Sequence, residues 1–515
     1  MRWACWSQGL WGRQADRETY PSVRMNFFFE NEDVGSQRDR RLLVISYHFP
    51  PDRAVGAKRW EKFSRFAAER GWGMDVFMRG DVDRAGADAA RRALPPGVRV
   101  FSVPAPELKR EMVENAVWRA LAGRRKKDAA GATSGADASA PAVRAGPASV
   151  PRSELRWALD TPRGWMRVYW AALDFARIRK WGDGVIETVS SVFDPGVHQA
   201  VVTSGPPFMS HDVGRRISER YRIPFIMDMR DPWSHVERLP EGMATPMWTR
   251  LAARHEAAAV KRATLIVANT EVARRQMTAT YPLRAGDIIT VTNGADDVAL
   301  PQQRHGGRFV IAHAGTVYLD RDPRALFQGA AQVIRDLSLT PDDISLEFIG
   351  ALEAVGGFPI EEVARAEGIA EYVRTGPPRP HSEAMAFMAE ASMLVTMSGS
   401  NMAAIPAKTF ECVRFPAWIL ALSAPGSATA MLLDQTGADV ASPGDAAAIG
   451  AIIEKRYREH RSGVVPEPVG SDPRFSRSYQ AGILMDALEA RVGANRTGNV
   501  PFVLDERNTT TLNPT

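Results

Sequence analysis

Lys408 and Glu411 lie three positions apart in the segment IPAKTFE (residues 405–411), between two apolar runs. The segment predicts the first turns of a helix that follows a buried strand, and Pro406 suits the first helical position because its missing N–H would be unbonded there. Free N–H groups in that turn and the ammonium of Lys408 favour an anion such as a diphosphate. Glu411 offers acceptor oxygens to a vicinal diol. A diphosphate beside a diol describes a nucleotide, so the segment predicts half of a nucleotide-sugar site.

A second group of residues with phosphate-binding chemistry lies about ninety positions earlier, in the string IAHAGT (residues 311–316) and the Arg321 that follows it. The string predicts a strand that ends in a turn of small residues. Gly315 allows the backbone to approach a phosphate closely, and the Thr316 hydroxyl and the Arg321 guanidinium can bind its oxygens. His313 lies inside the strand rather than at its mouth, so we predict a structural role for it.

In the first half of the chain, Gly56 comes between the string YHFPP (residues 47–51) and a predicted helix. Folds of the α/β class receive phosphates where a strand, a glycine-containing loop and a helix start come together. The segment lacks the pattern G-x-G-x-x-G and so does not predict a dinucleotide site. A plain strand-to-helix connection is equally compatible with these residues.

Two further strings, TSGPP (residues 203–207) and DMRDPW (residues 228–233), each follow an apolar strand. Both are expected at the carboxyl edge of one parallel sheet, where ligands bind. There Asp228, Arg230 and Asp231 could position a sugar hydroxyl or take its proton. The alternative is an Asp–Arg ion pair that fixes the loop, and a carboxylate held by arginine is a poorer base.

The elements that must position these residues are short Val- and Ile-rich runs that alternate with amphipathic stretches from residue 41 onward. This alternation is typical of the α/β class, in which helices cover both faces of a parallel sheet. A chain of 515 residues exceeds one compact core. We therefore predict two doubly wound domains, residues 41–296 and 305–475, followed by a helix at 476–492. Residues 1–40, an Ala/Gly/Pro-rich insertion at 124–152 and the tail 493–515 are predicted to be disordered.

Composition narrows the classes of partner. A formal charge of +5 with 24% charged residues suits anionic substrates or lipid headgroups. No aromatic-rich motif or dense lysine run accompanies this charge, so nucleic acid is not expected as a partner. Two cysteines exclude a disulfide framework and a cysteine-built metal site, and they suit the cytoplasm. No apolar stretch reaches the roughly 18 residues of a spanning helix, so a spanning helix is not expected. We predict a cytoplasmic protein, and a peripheral position on the inner face of the cell membrane is an open alternative to a location free in the cytoplasm.

Taken in order, these strings resemble bacterial glycosyltransferases of the family 4 type; they are YHFPP, TSGPP, DMRDPW, TNGAD (residues 292–296), HAGT and IPAKTFE. The resemblance spans roughly residues 41–492 without the insertion. It implies the GT-B architecture, two Rossmann-like domains that face each other across a cleft. It also implies retention of anomeric configuration, with no required metal and no cofactor beyond the nucleotide-sugar substrate.

The resemblance also implies roles by position. Glu411 matches the glutamate that holds the ribose, and Lys408 and Arg321 stand where basic groups neutralise the leaving diphosphate. Arg230 falls near the position where many relatives carry a histidine that touches the donor sugar. The family's paired glutamates usually lie eight positions apart, and Ala403 occupies the place of the first. The identity of the donor sugar therefore stays open.

The acceptor is predicted to be a glycan or a lipid-linked sugar in bacterial surface polysaccharide or glycolipid synthesis. Residues 108–127 and 152–181 carry basic and aromatic side chains, a composition that suits peripheral contact with an anionic membrane. An ordinary helix core is the alternative for most of these aromatics. Two other functions share the predicted cleft, namely a non-hydrolysing nucleotide-sugar epimerase and a non-catalytic nucleotide-binding module.

Overall fold

The computed structural model describes residues 27–31, 39–52, 54–80, 84–105, 164–231, 233, 245–302, 306–317, 321–352, 359–399 and 401–496. The predicted insertion at 124–152 and the basic segment at 108–127 lie outside the described residues. Most of the predicted N-terminal extension and residues 497–515 of the predicted tail lie outside them as well.

A first sheet is built mainly from the early part of the chain, in the order β1-β4-β3-β2-β5-β6-β7-β8. Its strands are β1 (Phe27–Asn31), β2 (Arg41–Ser46), β3 (Gly73–Gly80), β4 (Val98–Pro104), β5 (His198–Ser204), β6 (Phe225–Met229), β7 (Leu265–Ala268) and β8 (Ile288–Thr290). The helices between them are α1 (Lys58–Glu69), α2 (Arg84–Ala93), α3 (Gly164–Val192), α4 (Met209–Tyr221), α5 (Pro246–Arg262) and α6 (Glu271–Thr280). Pairs β2–β3, β3–β4, β2–β5 and β5–β6 are parallel, as alternating strands and helices predict.

The second sheet has the order β11-β10-β9-β12-β13-β14, with every pair parallel. Its strands are β9 (Phe309–Ala314), β10 (Ile344–Ile349), β11 (Val373–Gly376), β12 (Met393–Gly399), β13 (Trp418–Ser423) and β14 (Asp439–Ala441). Its helices are α7 (Arg324–Asp336), α8 (Ile360–Ala366), α9 (His381–Ala389), α10 (Ala407–Cys412), α11 (Ala428–Leu433), α12 (Ala446–Arg461) and α13 (Arg477–Arg496). The prediction of two doubly wound α/β sheets is confirmed.

The described residues fall into two compact units, one that runs up to Ile266 and resumes at Arg491, and one from Val267 to Ala490. The strands of the first sheet continue to Thr290, near the end of the predicted N-terminal domain at residue 296. The helix predicted at 476–492 is present and extends to Arg496.

The prediction that residues 1–40 form a disordered extension is wrong for Phe27–Asn31. This segment pairs antiparallel with β4 along its full length, from Phe27 opposite Ser102 to Asn31 opposite Val98. Three successive phenylalanines favour a strand, and β4 would otherwise leave its backbone N–H and C=O groups unpaired at the edge of the sheet.

Alternate residues of the second sheet pack against different helices. Ile311 and Val395 share a core with Leu326 and Phe327 of α7. Ala312 and its neighbours on the other face share a core with Phe410 and Cys412 of α10. Both faces are thus buried, which explains why these strands read as continuous apolar runs rather than as alternating ones.

The string TNGAD, one of the strings that carry the family resemblance, fastens the start of α13. Gly294 has φ +66°, and a Cβ there would lie 2.6 Å from the Cα of Arg477. The Arg477 side chain donates to the carboxylate of Asp296 and to the carbonyl of Asn293. The Gln480 side chain accepts from the backbone N–H of Thr292 at 2.9 Å. This part of the resemblance therefore corresponds to a structural contact within the second unit.

A buried charge cluster supports the amino edge of the first sheet. Asp75 is fully buried and accepts hydrogen bonds from Arg41 at 2.7 Å, from Arg99 at 2.7 Å and from His198 at 2.9 Å. Burial alone would raise the pKa of Asp75, but the His198 hydrogen bond and the two arginine charges outweigh it and hold the pKa well below its usual range. The cluster joins strands β2 to β5 at the edge opposite to the one where ligands bind.

We expect Asp75→Asn to destabilise the first unit by about 3–5 kcal/mol, because it leaves two buried cations without their carboxylate. A carboxylate with a lowered folded-state pKa stabilises the fold above its unfolded pKa of about 4, and this contribution is lost as the pH falls further. The protection factors of the β2 and β3 amides, taken relative to the intrinsic exchange rate at each pH, should therefore fall in acid for the wild type and be low already at pH 7 in the variant. Asp183→Asn, which removes an exposed pair with Arg216, is the control and should change little. Equal protection in both variants would contradict the assignment.

Candidate functional site

The strand order of the second sheet creates a crevice at its centre. Numbered within the sheet, the order is 3-2-1-4-5-6, so β9 lies beside β12 where the order reverses. The chain leaves β9 towards α7 on one face and leaves β12 towards α10 on the other. Two loops that diverge in this way leave a gap at the carboxyl ends of the strands, the usual ligand position in such folds. Gly315 and Thr316 follow β9, and residues 401–406 follow β12.

Gly315 is held in place by a second glycine that the sequence analysis did not single out. Gly350 follows β10 and has φ +146°, and a Cβ on it would overlap the carbonyl oxygen of Gly315. Gly315 in turn donates its N–H to the carbonyl of Ile349 at 2.9 Å. The turn at Gly315 thus keeps its position because two backbones approach each other with no side chain between them.

The loop after β12 is fixed through three successive carbonyl groups. The carbonyl of Met402 accepts from the Ala428 N–H at 2.7 Å, and that of Ala403 accepts from the Thr270 hydroxyl at 2.8 Å. The carbonyl of Ala404 accepts from the Thr429 hydroxyl at 3.2 Å. Ala403, which occupies the place of the family's first glutamate, is buried and presents no side-chain acceptor.

Lys408 and Glu411 lie on α10 and form an ion pair with each other, with side-chain exposures of 31% and 29%. The helix is anchored by Thr409, which is fully buried and shares a hydrogen bond of 2.7 Å with the hydroxyl of Thr396 on β12. The predicted position of Pro406 is off by one residue: the helix begins at Ala407, and Pro406 is its N-cap. Both charged side chains are partly open to solvent, so a ligand can reach them.

Arg321 and His313 complete the group in the second unit. An Arg321 N–H is 3.4 Å from the carbonyl of Thr316. Burial, together with the charges of Arg321 and Lys408, lowers the pKa of His313 to about 4 against the opposing effect of the hydrogen bond to Val395. The fold therefore gathers Gly315, Thr316, Arg321, Lys408 and Glu411 at the carboxyl edge of one sheet, and their roles stay predictions.

The first sheet has a similar reversal between β2 and β5, which are paired in parallel. Gly56 lies in the 3₁₀ turn Val55–Ala57 after β2. A Cβ at Gly56 would lie 3.2 Å from a terminal nitrogen of Arg230 and 3.4 Å from His48. Gly56 thus borders the Arg230 side chain, so two predicted site residues of the first unit are neighbours.

Asp228 forms a buried ion pair with an arginine, as the structural interpretation of this segment predicts. It is fully buried at the end of β6 and accepts from Arg59 Nε at 2.9 Å, from an Arg59 terminal nitrogen at 3.0 Å and from Trp60 Nε1 at 2.8 Å. The arginine that holds it is Arg59 on α1, 169 positions away in the sequence. A carboxylate with its oxygens occupied in this way is a poor base, so the contacts favour a structural role over proton transfer.

Arg230 and Asp231 follow directly after β6. Within the described residues, Arg230 Nε is buried and has no hydrogen-bond partner. Burial lowers the pKa of Arg230 and raises the pKa of Asp231. An arginine nitrogen without a partner at the carboxyl edge of a sheet can donate to an anionic or hydroxylated ligand.

His211 is a buried residue of this edge that sequence reasoning missed. It is fully buried on α4, and its Nδ1 is 2.7 Å from the Thr203 hydroxyl. A Cβ on Gly205 would lie 2.8 Å from its Nε2, so the string TSGPP needs a glycine at its third position to admit the imidazole. Burial lowers the pKa of His211 to about 4, against the charge of Asp228, and the ring is neutral near pH 7.

Two general features bear on cofactors and membranes. In the part of the chain that the structure describes, no three His, Cys, Asp or Glu side chains come together as a metal site requires. Metal independence stays a prediction. Among the helices of the described ranges, none is both long enough and apolar enough to cross a bilayer.

Comparison with known proteins supports the fold. No protein-family model and no curated protein sequence matches the chain. Among solved structures, HepE from Anabaena in complex with UDP aligns with a TM-score of 0.54 at 12% identity, over 88% of this chain and 100% of that one. Sucrose-phosphate synthase from Thermosynechococcus elongatus aligns with a TM-score of 0.52 at 13% identity, over 88% and 100%. The α,α-trehalose 6-phosphate synthase from Burkholderia multivorans gives 0.51 at 11% identity, over 89% and 98%.

Identities this low establish the fold and nothing finer. Together with the two sheets, whose strands are parallel except for β1, they show that the protein has the GT-B fold, with two Rossmann-like domains. The predicted fold class is confirmed. Membership of family 4 stays a prediction.

We expect Gly350→Ala to displace the turn at Gly315 and to destabilise the second unit by about 3 kcal/mol or more, because the new methyl group overlaps a backbone carbonyl. Gly437→Ala is the matched control, since Gly437 has φ +84° but no neighbour within 4 Å of a built Cβ. It should cost about 1 kcal/mol from backbone strain alone. Denaturant melts and hydrogen exchange of residues 309–317 measure both effects. Similar costs for the two variants would show that the contact between the glycines is not a constraint.

Proposed function

We propose that the protein is a glycosyltransferase of the family 4 type that transfers a sugar from a nucleotide-sugar donor to a glycan or lipid-linked acceptor. The reaction is retaining and metal-independent, and it belongs to bacterial surface polysaccharide or glycolipid synthesis. One observation carries the proposal: the reversal point of the second sheet gathers Gly315, Thr316, Arg321, Lys408 and Glu411 at one edge. The structural neighbour HepE supports it, since HepE was crystallised with UDP and with UDP-glucose.

Binding of the negatively charged nucleotide sugar follows from the charges of the side chains at this edge of the second sheet. Arg321 and Lys408 supply two cations for a diphosphate, while the turn at Gly315 admits phosphate oxygens close to the backbone. Glu411 accepts from the ribose hydroxyls once Lys408 turns from its present ion pair towards the phosphates. That pair is partly exposed, so opening it costs little.

Transfer breaks the bond between the anomeric carbon and the phosphate oxygen and leaves negative charge on the departing diphosphate. Arg321 and Lys408 stabilise that charge as it develops, which lowers the barrier without a metal ion. The acceptor hydroxyl oxygen bonds to the anomeric carbon on the same face, and its proton passes to the leaving phosphate oxygen. The products are the glycoside and a nucleoside diphosphate.

The first unit is proposed to hold the acceptor. Arg230 has a buried nitrogen without a partner in the described residues and lies beside Gly56. It can donate to a hydroxyl or to an anionic group of the acceptor or the donor sugar, and Asp231 is the neighbouring carboxyl group. We further propose that the basic segments 108–127 and 152–181 contact an anionic membrane and that the protein works in the cytoplasm. Of these residues, the structure describes only those from 164 onward, which belong to α3.

The donor premise is tested by calorimetry of the full chain with UDP, UDP-glucose and a panel of other nucleoside diphosphates. Glu411→Ala and Lys408→Ala should each weaken binding by about 10- to 100-fold, as loss of a hydrogen bond to a charged group does. Glu454→Ala is the control, because it removes an exposed pair with Arg458 in the same unit and should leave binding unchanged. If the wild type binds none of these ligands, or if all variants bind alike, the donor site is refuted.

Transfer is tested by incubating the protein with lipid-linked acceptors and with the nucleotide sugar that corresponds to the nucleoside diphosphate found to bind, in the presence of EDTA. We expect the mass of the acceptor to increase by one sugar. NMR of the product should show the same anomeric configuration as in the donor. Binding without this increment would favour the non-catalytic module that the missing glutamate at residue 403 suggests. Loss of transfer in EDTA would contradict metal independence.

A further inference from the structure

His313 is a buried imidazole that the proposed reaction has not yet used. It is 6% exposed in β9, two residues before Gly315. Its Nδ1 is 2.9 Å from the carbonyl oxygen of Val395 on the neighbouring strand β12. A carbonyl oxygen can only accept, so the Nδ1 atom must carry the hydrogen.

The other ring nitrogen is therefore a hydrogen-bond acceptor. With one proton on Nδ1, a neutral imidazole has a lone pair at Nε2. Burial keeps the ring neutral, since it lowers the pKa of His313 to about 4. Within the described part of the chain, Nε2 is buried and has no hydrogen-bond partner. Buried polar atoms without a partner are uncommon, and each calls for a physical explanation.

Nε2 points towards the candidate donor site. A Cβ built on Gly315 would lie 3.1 Å from Nε2, and the imidazole of His313 is the nearest group to that Cβ. The charges of Arg321 and Lys408 both act on the ring. The lone pair thus lies beside the turn that admits the ligand and near the two cations proposed to hold the diphosphate.

An acceptor in this position needs a ligand group that carries a hydrogen. Phosphate oxygens have none to donate, whereas the ribose and the donor sugar both carry hydroxyl groups. Ala403 supplies no side-chain acceptor, and its own carbonyl is occupied by Thr270. The site therefore has fewer acceptors for hydroxyl groups than the family pattern implies, and His313 offers one.

We propose that His313 contacts the bound nucleotide sugar, its Nε2 accepting a hydrogen bond from a hydroxyl group of the donor. This inference rests on the proposed function, because it requires a nucleotide sugar at the edge of the second sheet. The sequence predicted a purely structural role for His313. The proposal keeps that role for one ring nitrogen and gives the other a role in ligand binding. Nδ1 fastens β9 to β12, and Nε2 recognises the ligand.

The discriminating variant is His313→Asn. The shorter amide can keep the N–H donor to the Val395 carbonyl and removes the Nε2 acceptor. Calorimetry with UDP and with UDP-glucose compares the full-length wild type and variant, with thermal melts to verify that the fold is retained. We expect affinity to fall by about three- to tenfold, the range of one neutral hydrogen bond. His381→Asn, at an exposed histidine of the same unit, is the control and should change neither affinity.

The two ligands separate the two possible hydroxyl sources. Weaker binding of UDP-glucose alone assigns the contact to the sugar, and weaker binding of both assigns it to the ribose. Unchanged binding of both would overturn the proposal. A second result would also overturn it: the wild type takes up a proton when it binds the ligand and the variant does not, as measured by calorimetry in buffers of different ionisation enthalpy. His313 would then be a charged donor to phosphate rather than a neutral acceptor. If the wild type binds neither UDP, UDP-glucose nor the wider panel, the proposed function itself fails, a result distinct from any effect of the variant.

Discussion

The reversal of strand order at one position in each sheet is the constraint on which the candidate site depends. At that position two neighbouring parallel strands send their connections to opposite faces, so a gap remains that neither loop covers. In the second sheet the gap lies between β9 and β12, with α7 on one face and α10 on the other. The candidate ligand-binding residues can surround this gap because the two connections diverge. The small residues at the turn then set how closely a ligand can approach.

Rigidity around this gap comes from backbone contacts rather than from bulky side chains. Gly350 and Gly315 approach each other with no Cβ between them, and three carbonyls after β12 are held by donors from other segments of the second unit. A loop whose carbonyls are already bonded does not need to reorganise when a ligand arrives. A frame fixed in this way keeps the groups mounted on it in position, and preorganisation is what allows polar groups to stabilise charge in a transition state.

Two ion pairs differ in how strongly burial holds them together. Arg59 and Asp228 are almost completely buried, and Trp60 adds a further hydrogen bond, so removing either charge would take from the other a buried ion-pair partner. Lys408 and Glu411 form a pair that is about a third exposed, and water screens it. The first pair fastens α1 to β6. The second costs little to open, which is what the proposed function requires of it.

The sequence by itself determined the class of fold and the edge of the sheet on which the charged residues lie. Both follow from local patterns, because apolar runs that alternate with helices specify a parallel sheet and the residues after each strand must emerge at its carboxyl end. Tertiary structure decided which partners these residues have. Arg59 holds Asp228 across 169 positions, and a carbonyl on β12 fixes which nitrogen of His313 carries the proton. Such contacts join segments that are distant in the chain, so no local pattern encodes them, and they decide whether a carboxylate is a base or an anchor.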